Sequence, residues 1–315
     1  MPRSVVVVGS LNADIIVRVP ELPLPGQTVV GGTLLQAPGG KGANQAVAAA
    51  RLGATVAMVG RVGRDSFASL LLDSLVQAGV GIERVSVASD AATGVALIMV
   101  GGSSGENLIA VASGANAAVG PDDVEAAASA IAVADVLLLQ LEIPLAAVER
   151  ALRLARSSGT LSILNAAPAG SAQPLGADLL GLADIVVANA LELAALLRGP
   201  IPPGEEGTAA ERLRSGNKQQ VVIATLGPKG AVAAAPDGVH VSPGFVVEAI
   251  DTVGAGDAFV GGLAVAYDGF ASLPAALRFA NAAGALATTR PGAQPSLPGL
   301  DDVQRLLAEP QAVRA

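Results

Sequence analysis

The 315-residue sequence has no cysteine, no tryptophan, one tyrosine and only five phenylalanines. Without cysteine, the chain can form no disulfide framework, no zinc–cysteine cluster and no thiol nucleophile. This composition suits a reducing compartment, and we expect a cytoplasmic protein. The scarcity of aromatic rings also leaves few platforms on which a nucleobase could stack.

Positive charge is scarce as well. The formal net charge is −8, with only three lysines and no run of lysine or arginine. This distribution argues against binding to nucleic acid. No apolar run reaches the ~18 residues that span a bilayer, so we expect no membrane partner. The apolar run near the start, Val5–Val8, is too short for a signal peptide and predicts a buried strand.

Small and aliphatic residues are abundant, and 51% of the chain is hydrophobic. Short β-branched runs alternate with alanine- and leucine-rich stretches of helical spacing. This alternation predicts an α/β fold, a doubly wound and mainly parallel sheet flanked by helices. The predicted strands are Val5–Val8, Val56–Val59, Val136–Leu139, Leu161–Leu164, Ile185–Val187 and Val221–Ala224. The predicted helices are Ala43–Leu52, Ser66–Ala78, Pro121–Ala132, Pro144–Ser157, Ala190–Leu197 and Thr208–Ser215.

Two segments interrupt this alternation. Residues 15–36 contain turn signals at Pro20, Pro23 and Pro25, and residues 93–112 have the pattern of two strands joined by a Gly101–Gly105 turn. Neither segment has helical periodicity, so we expect them to form a small β lid. The remaining residues, 1–14, 37–92 and 113–315, would then form the α/β core.

The run Asp-Thr-Val-Gly-Ala-Gly-Asp at Asp251–Asp257 precedes an apolar helical stretch, Ala258–Ala266. Small residues at a helix start let a ligand approach the unpaired N–H groups of the first turn, which form a cradle for anions. A carboxylate there would repel a phosphate unless it serves as a base, as in phosphoryl transfer to a hydroxyl group. The alternative is that Asp257 only caps the helix, and this run alone favours neither interpretation.

Three further groups of polar residues follow predicted strands or open predicted helices. Gly39–Asn44 is a glycine-rich loop that lacks the Ser or Thr of a Walker A motif, and the alternative is a flexible loop. Asn12 and Asp14 point the same way in extended chain, at a strand end where a polyol could bind, and the alternative is a turn. Asn189–Glu192 and Glu142 also follow predicted strands. The alternative for Asn189–Glu192 is a helix cap, and the alternative for Glu142 is a surface charge.

Together, these motifs resemble the two signatures of the PfkB, or ribokinase-like, family of carbohydrate kinases. The first is Gly39–Asn44 continuing to Gly53 and Gly63, and the second is Asp251–Asp257 followed by Gly261 and Gly262. Their order, spacing and chain length fit, so the resemblance covers nearly the whole sequence. Within the family, the sequence is most similar to members that phosphorylate ribose, on the evidence of Gly9–Asp14, Gly39–Ala50, Gln140–Glu142 and Arg290–Ser296.

The resemblance implies a ribokinase-like fold with a β-sheet lid, and transfer of the γ-phosphoryl group of ATP to the O5 hydroxyl of D-ribose. Asp257 would be the catalytic base, in an anion hole formed with Gly254, Ala255 and Gly256. The sugar would contact Asp257 and Asn12, Ala13, Asp14, Gly40, Lys41, Gly42, Ala43, Asn44 and Glu142. ATP would contact Gly256, Asp257, Asn189, Thr225, Leu226, Gly227, Pro228, Lys229, Gly230 and Asn281.

The resemblance also implies two cations and a partner. Asn189 and Glu192 match an element associated with Mg²⁺, which Glu192 would hold through water. A K⁺ loop would comprise Asp251, Val253, Ala287, Arg290, Gly292 and Ser296. Arg290 would act there through its carbonyl, because a guanidinium offers no lone pair. Residue 253 is often Thr or Ile in this family, but only its carbonyl would bind K⁺, so no loss is expected. The lid implies a homodimer.

Two alternatives to phosphorylation of ribose stay open at this point. One is another kinase of the same family, acting on deoxyribose, fructose, a nucleoside or a keto-deoxy sugar acid. The other is a regulator that binds sugar or nucleotide without catalysis, although a pure binder has no need of a base such as Asp257. A dinucleotide-dependent dehydrogenase is discounted, because Gly9–Asp14 lacks the Gly-x-Gly-x-x-Gly spacing.

Overall fold

The computed structural model describes residues 2–102, 107–168, 175–214 and 217–309. Within these ranges the chain forms thirteen strands and eleven α-helices. The strands are β1 Ser4–Val8, β2 Asn12–Val19, β3 Leu34–Gly39, β4 Thr55–Val62, β5 Gly81–Val87, β6 Gly94–Gly101, β7 Asn107–Ala112, β8 Val136–Leu139, β9 Leu161–Asn165, β10 Ile185–Asn189, β11 Val221–Thr225, β12 Gly230–Ala235 and β13 Gly238–Pro243. The helices are α1 Lys41–Arg51, α2 Ser66–Gln77, α3 Pro121–Ala126, α4 Ala128–Val133, α5 Leu145–Ser158, α6 Ala177–Leu180, α7 Ala190–Leu196, α8 Glu206–Arg214, α9 Ala255–Ala266, α10 Leu273–Ala287 and α11 Leu300–Ala308.

The larger sheet has the order β13-β12-β11-β10-β9-β8-β1-β4-β5 among the described residues. The seven strands from β11 to β5 pair in parallel, and β12 and β13 add an antiparallel edge. Alternate residues of β1 enter two different apolar cores, Val5 and Val7 on one face and Val6 and Val8 on the other. A strand buried on both faces needs a continuous apolar run, which is why the pattern predicted this fold correctly.

Several elements differ from the sequence-based expectation. The helix expected over Pro121–Ala132 is two helices, because Ala127 leaves helical geometry at φ −98° and ψ 1°. The β12–β13 hairpin and the helices α10 and α11 were not predicted. Part of the expected Gly101–Gly105 turn, residues 103–105, lies outside the described residues. Of the helices that the structure describes, none has both the length and the hydropathy needed to cross a bilayer.

A second, smaller sheet has the order β3-β2-β6-β7. It begins where β1 ends, because the chain passes from Val8 through three residues into β2 at Asn12. In its register, Asn12 lies between Gly39 of β3 and Gly94 of β6. Several apolar side chains of this sheet are exposed, namely Leu34, Leu35, Leu97, Leu108, Ile109 and Val111.

Helices α1 and α9 approach each other closely on one face of the larger sheet. A Cβ added at Gly261 of α9 would lie 2.6 Å from the Cβ of Ala48 and 3.0 Å from the backbone nitrogen of Ala49 in α1. Only glycine fits at this distance. The contact fixes the separation of the two helices, and with it the positions of the polar residues at their N-terminal ends.

We predict that Gly261→Ala lowers the free energy of unfolding by ~1–3 kcal/mol, because the added methyl group overpacks the contact with Ala48. Urea unfolding checks this value. The double variant Gly261→Ala/Ala48→Gly removes one of the clashing groups, so it should be more stable than the sum of the two single variants implies. If the changes in the free energy of unfolding are strictly additive, the two positions do not interact.

Candidate active site

Polar residues cluster where the order of the larger sheet changes direction. β1 lies between β4, which follows it, and β8, from which the sheet grows the other way. Ligands of doubly wound folds bind at such a point, beyond the carboxyl ends of the strands. Ser10 and Asn12 follow β1, and Gln140 and Glu142 follow β8, so the topology brings these residues together.

Asp257 lies in the first turn of α9, and its buried carboxylate faces α1. Its Oδ2 accepts a hydrogen bond from Nδ2 of Asn44 at 2.9 Å, and its Oδ1 accepts one from Nε2 of Gln45 at 3.0 Å. The N-cap is Gly254, at φ 80°, and none of the described side chains caps this helix. Asp257 is therefore not a helix cap, which removes the alternative left open by the sequence.

The N-terminal turn of α9 also provides free donors. Among the described residues, no carbonyl accepts a hydrogen bond from the N–H groups of Gly256 or Asp257, and the N–H of Ala255 has only a long bond of 3.3 Å to Thr252. A Cβ at Gly256 would meet nothing within 4 Å. Unpaired donors at an open helix N-terminus form an anion site.

Charges of both signs surround Asp257. Burial raises the pKa of Asp257, and Lys41, Asn44 and Gln45 counteract part of this rise. Burial lowers the pKa of Lys41, but the carboxylates of Asp257, Glu142 and Glu192 outweigh it, so the net pKa of Lys41 is raised. The lysine therefore stays cationic among the carboxylates.

The expected sugar-binding residues surround the same space. Oε2 of Glu142 accepts hydrogen bonds from the hydroxyl of Ser10 and from the backbone N–H of Lys41, at 2.5 Å and 3.1 Å. Gly40 has φ 88°, and a Cβ there would lie 2.6 Å from the backbone nitrogen of Asn12. Likewise, a Cβ at Gly42 would lie 2.5 Å from the backbone nitrogen of Ser10. Ala13 and Ala43, in contrast, are fully buried apolar residues.

Asp14 is a buried carboxylate for which the described residues provide no hydrogen bond. Burial raises the pKa of Asp14 to about 7, and the nearby carboxylates of Glu142 and Asp257 add to the rise. A buried carboxylate that lacks hydrogen-bond donors is stabilised when the hydroxyl groups of a ligand donate hydrogen bonds to it. With Asn12, Lys41, Asn44 and Glu142 beside it, the space suits a polyhydroxylated molecule.

Four buried amide side chains belong to this site although the sequence gave them no role. Asn116 donates to Oδ1 of Asn12 at 2.7 Å and forms two bonds with the backbone of Leu11. Gln45, Gln140 and Asn165 form a linked group behind Asp257. Gln45 and Gln140 lie in runs that carry the family resemblance, but a polar residue inside an apolar stretch does not reveal its partners far away in the chain.

A separate cavity of about 310 Å³ opens on the other side of the α9 N-terminus. Thr225, Gly227, Pro228 and Gly230 line it, as does Asn281, so most of the residues expected at the nucleotide meet here. Leu226 packs against an apolar core, and Lys229 is exposed and does not line the cavity. The wall also contains residues that were not predicted: Gly244, Phe245, Val247, Ala249, Thr252, Phe259, Gly284, Ala285 and Thr288.

Asn189 and Glu192 form a capping box at the start of α7. Oδ1 of Asn189 accepts from the backbone N–H of Glu192, and Oε2 of Glu192 accepts from the backbone N–H of Asn189, both at 2.8 Å. Asn189 pairs in register with Thr225 of the neighbouring strand, which lines the cavity. Burial raises the pKa of Glu192 despite the hydrogen bond from Asn189.

The residues expected in a cation loop come from two segments that Asp251 joins. Its Oδ1 accepts from the N–H of Val253 at 3.0 Å, and its Oδ2 accepts from the N–H of Gly292 at 2.8 Å. Ser296 is buried, and its hydroxyl donates to the carbonyl of Ala293 at 2.8 Å. Ala287 ends α10 next to these segments, whereas the Arg290 side chain points outward, 3.9 Å from Asp302.

Comparisons with known proteins agree with the geometry. Residues 2–300 match the model of the pfkB family carbohydrate kinases. The ribokinase of Haemophilus influenzae is 40% identical over 298 residues, 95% of this chain and 96% of that protein. The ribokinase of Mus musculus is 40% identical over 306 residues, 95% and 93% of the two chains. Arabidopsis thaliana ribokinase complexed with ribose and ATP has a TM-score of 0.87 and 32% identity, over 98% of this chain and 100% of that chain.

The raised pKa of Asp14 predicts how stability depends on pH. The folded state binds this proton more tightly than the unfolded state, so ionisation of Asp14 costs stability as pH rises from the ordinary value, 3.8, through about 7. Asp14→Asn removes the cost, and it should gain up to a few kcal/mol over the wild type between about pH 5 and about pH 8.

Urea unfolding of the ligand-free protein across this range measures the effect. Asp135→Asn is the control, because hydrogen bonds from Ser4 lower the pKa of Asp135 and keep it ionised throughout. Its difference from the wild type should stay constant. A constant difference for Asp14→Asn as well would contradict the assigned protonation of Asp14.

Proposed function

The chain belongs to the PfkB family of carbohydrate kinases, and we propose that it transfers the γ-phosphoryl group of ATP to the O5 hydroxyl of D-ribose. The observation that carries the proposal is the position of the first turn of α9. Ala255 and Gly256 line the cavity on one side, while the carboxylate of Asp257 faces Asn44 and the polyol site on the other. The turn thus separates a nucleotide site from a sugar site, as phosphoryl transfer requires.

In the proposed mechanism, Asp257 is the general base. Asn12, Asp14, Asn44 and Glu142 hold the ribose hydroxyls, and O5 loses its proton to the Asp257 carboxylate as it attacks the γ-phosphorus. The bond from phosphorus to the bridging oxygen of ADP breaks, and ribose 5-phosphate forms.

Charge that develops on the transferring group is stabilised by fixed donors. The unpaired N–H groups of Gly256 and Asp257 are oriented before the reaction, so they need no reorganisation, and each such donor contributes roughly 3 kcal/mol. Lys41 supplies positive charge near the carboxylates, which supports the approach of an anionic nucleotide. Gly254, in the left-handed conformation, directs the chain into this turn.

The residues present also suit the two cations that the family implies. Mg²⁺, when bound with ATP, neutralises phosphate charge; Glu192 would hold it through water beside Asn189, and only one Glu192 oxygen is used by the capping box. For K⁺, the carboxylate of Asp251 and the carbonyls of neighbouring residues are hard oxygen donors, as this ion requires. Val253, Ala287, Arg290, Gly292 and Ser296 complete the proposed K⁺ loop.

We assign the small sheet as a lid over the sugar; besides the expected segments 15–36 and 93–112, it includes residues 12–14 of β2 and 37–39 of β3. Its first strand contains Asn12 and Asp14, so sheet and sugar site are continuous. Closure would exclude water and limit hydrolysis of ATP. The exposed apolar side chains Leu97, Leu108 and Ile109 support contact of this sheet with a second copy of the chain. A cysteine-free enzyme of this kind suits the cytoplasm.

Measuring ADP release with a panel of acceptors tests the function. We expect turnover with D-ribose to exceed that with 2-deoxy-D-ribose, D-fructose and adenosine, and to be faster in K⁺ than in Na⁺. Asp251→Ala should abolish the difference between the two salts, because it removes the carboxylate that joins the two segments of the loop. If another acceptor is turned over faster, that acceptor replaces ribose in the assignment. If the rates in K⁺ and Na⁺ are equal, the proposed K⁺ loop is wrong, but the assignment as a kinase is unaffected.

The role of Asp257 is tested by Asp257→Asn. We predict a loss of ~10²–10⁴-fold in kcat, because the amide cannot accept the hydroxyl proton, while ATP binding measured by calorimetry persists. Asp237→Asn, at an exposed carboxylate that pairs with His240, is the control and should keep full activity. If Asp257→Asn has a kcat close to that of the wild type, Asp257 is not the general base.

A further inference from the structure

A group of buried amides lies behind Asp257, on the side away from solvent. Gln45 belongs to α1, Gln140 follows β8 and Asn165 ends β9. Gln45 and Gln140 are fully buried, and Asn165 is only 8% exposed. Burying three amides is costly unless their hydrogen bonds are made, so their arrangement is informative.

The direction of each amide in this group is fixed. Nδ2 of Asn165 donates to the backbone carbonyl of Val187 at 3.2 Å, which leaves its Oδ1 to accept from Nε2 of Gln45 at 3.0 Å. At the other end, Nε2 of Gln140 donates to Oε1 of Gln45 at 2.6 Å. A flipped Gln45 would place its oxygen against two acceptors, Asn165 Oδ1 and Asp257 Oδ1, and its NH₂ group against the donor of Gln140.

We propose that Gln45 is a positioning residue for the base: Gln140 and Asn165 lock its amide so that Nε2 always donates to Oδ1 of Asp257. With Asn44 donating to the other oxygen, the carboxylate is held in one orientation, and the lone pairs that remain face the sugar site. The inference rests on the proposed function, in which Asp257 accepts the proton of O5.

The electrostatic surroundings explain why such a donor matters. Four charged groups face Asp257: Lys41 of α1, Glu142 after β8, Asp14 of β2 and Glu192 of α7. Burial and the neighbouring carboxylate of Glu142 raise the pKa of Asp257, whereas Lys41 and the amides of Asn44 and Gln45 lower it. Loss of the Gln45 donor would raise the pKa of Asp257 further, so that the base would take up a proton at a higher pH and could not accept one from O5.

Gln45→Met tests the inference, because methionine has a similar shape but no donor. We expect the acid limb of the kcat profile to move up by about one pH unit. On the acid limb, kcat should fall by up to roughly 10-fold at a given pH, while KM for ribose and for ATP changes by less than about 3-fold. A loss of packing alone would not move the acid limb.

Gln220→Met is the matched control. Gln220 is also buried, and its Nε2 donates to two carbonyls, those of Leu180 and Ala183, but it has no contact with Asp257. Gln220→Met should be less stable than the wild type, but the acid limb of its kcat profile should not shift. Gln140→Met, which removes only the donor that orients Gln45, should give a smaller shift in the same direction, and it decides the question if Gln45→Met does not fold.

Titration of the Asp257 carboxyl carbon by ¹³C NMR, without substrates, separates this inference from the proposed function. A higher pKa in Gln45→Met than in the wild type and in Gln220→Met supports it even if ribose is not the acceptor. Coincident titration curves and acid limbs in all three proteins would overturn it, while an active wild type would leave the kinase assignment intact.

Discussion

The structure depends on keeping one carboxylate, that of Asp257, buried and hydrogen-bonded. Burial raises the pKa of Asp257, and a protonated acid could not serve as a base. Its two amide donors both belong to α1, so α1 and α9 must approach closely. Gly261 permits that approach, because any larger residue would collide with Ala48. A packing requirement one turn after Asp257 is thus linked to the chemistry at the start of α9.

The first turn of α9 can serve both proposed sites because its backbone and side chains point in different directions. The N–H groups of Gly256 and Asp257 have no backbone acceptor among the described residues, and the space beside Gly256 is open to a ligand. The Asp257 side chain instead turns toward α1. Small residues are needed on the first side and a carboxylate on the second, which is why this short run of the sequence is so informative.

The sequence could predict the features that depend on local residue pattern, such as strands and motifs. It could predict little of the features that depend on contacts between residues far apart in the chain. Continuous apolar runs predicted the parallel strands correctly, and motifs at strand ends singled out residues such as Asp14 and Glu142, whose carboxylates lie close enough to interact. Gln140 and Asn116, in contrast, act through partners about a hundred residues away, and a buried amide has no local signature of its partner. The split of the expected helix at Ala127 likewise has no counterpart in residue spacing.

The two walls of the proposed sugar site belong to different sheets. Asp257 is fixed to the core through Gln45, Gln140 and Asn165, which belong to elements of or beside the larger sheet. Asn12 and Asp14 instead belong to β2 of the smaller sheet, and β2 is joined to β1 by only three residues. In the proposed mechanism, movement of the smaller sheet would carry Asn12 and Asp14 with it while Asp257 stays in place. Closure of the proposed lid would then be coupled to sugar binding without disturbing the Asp257 carboxylate.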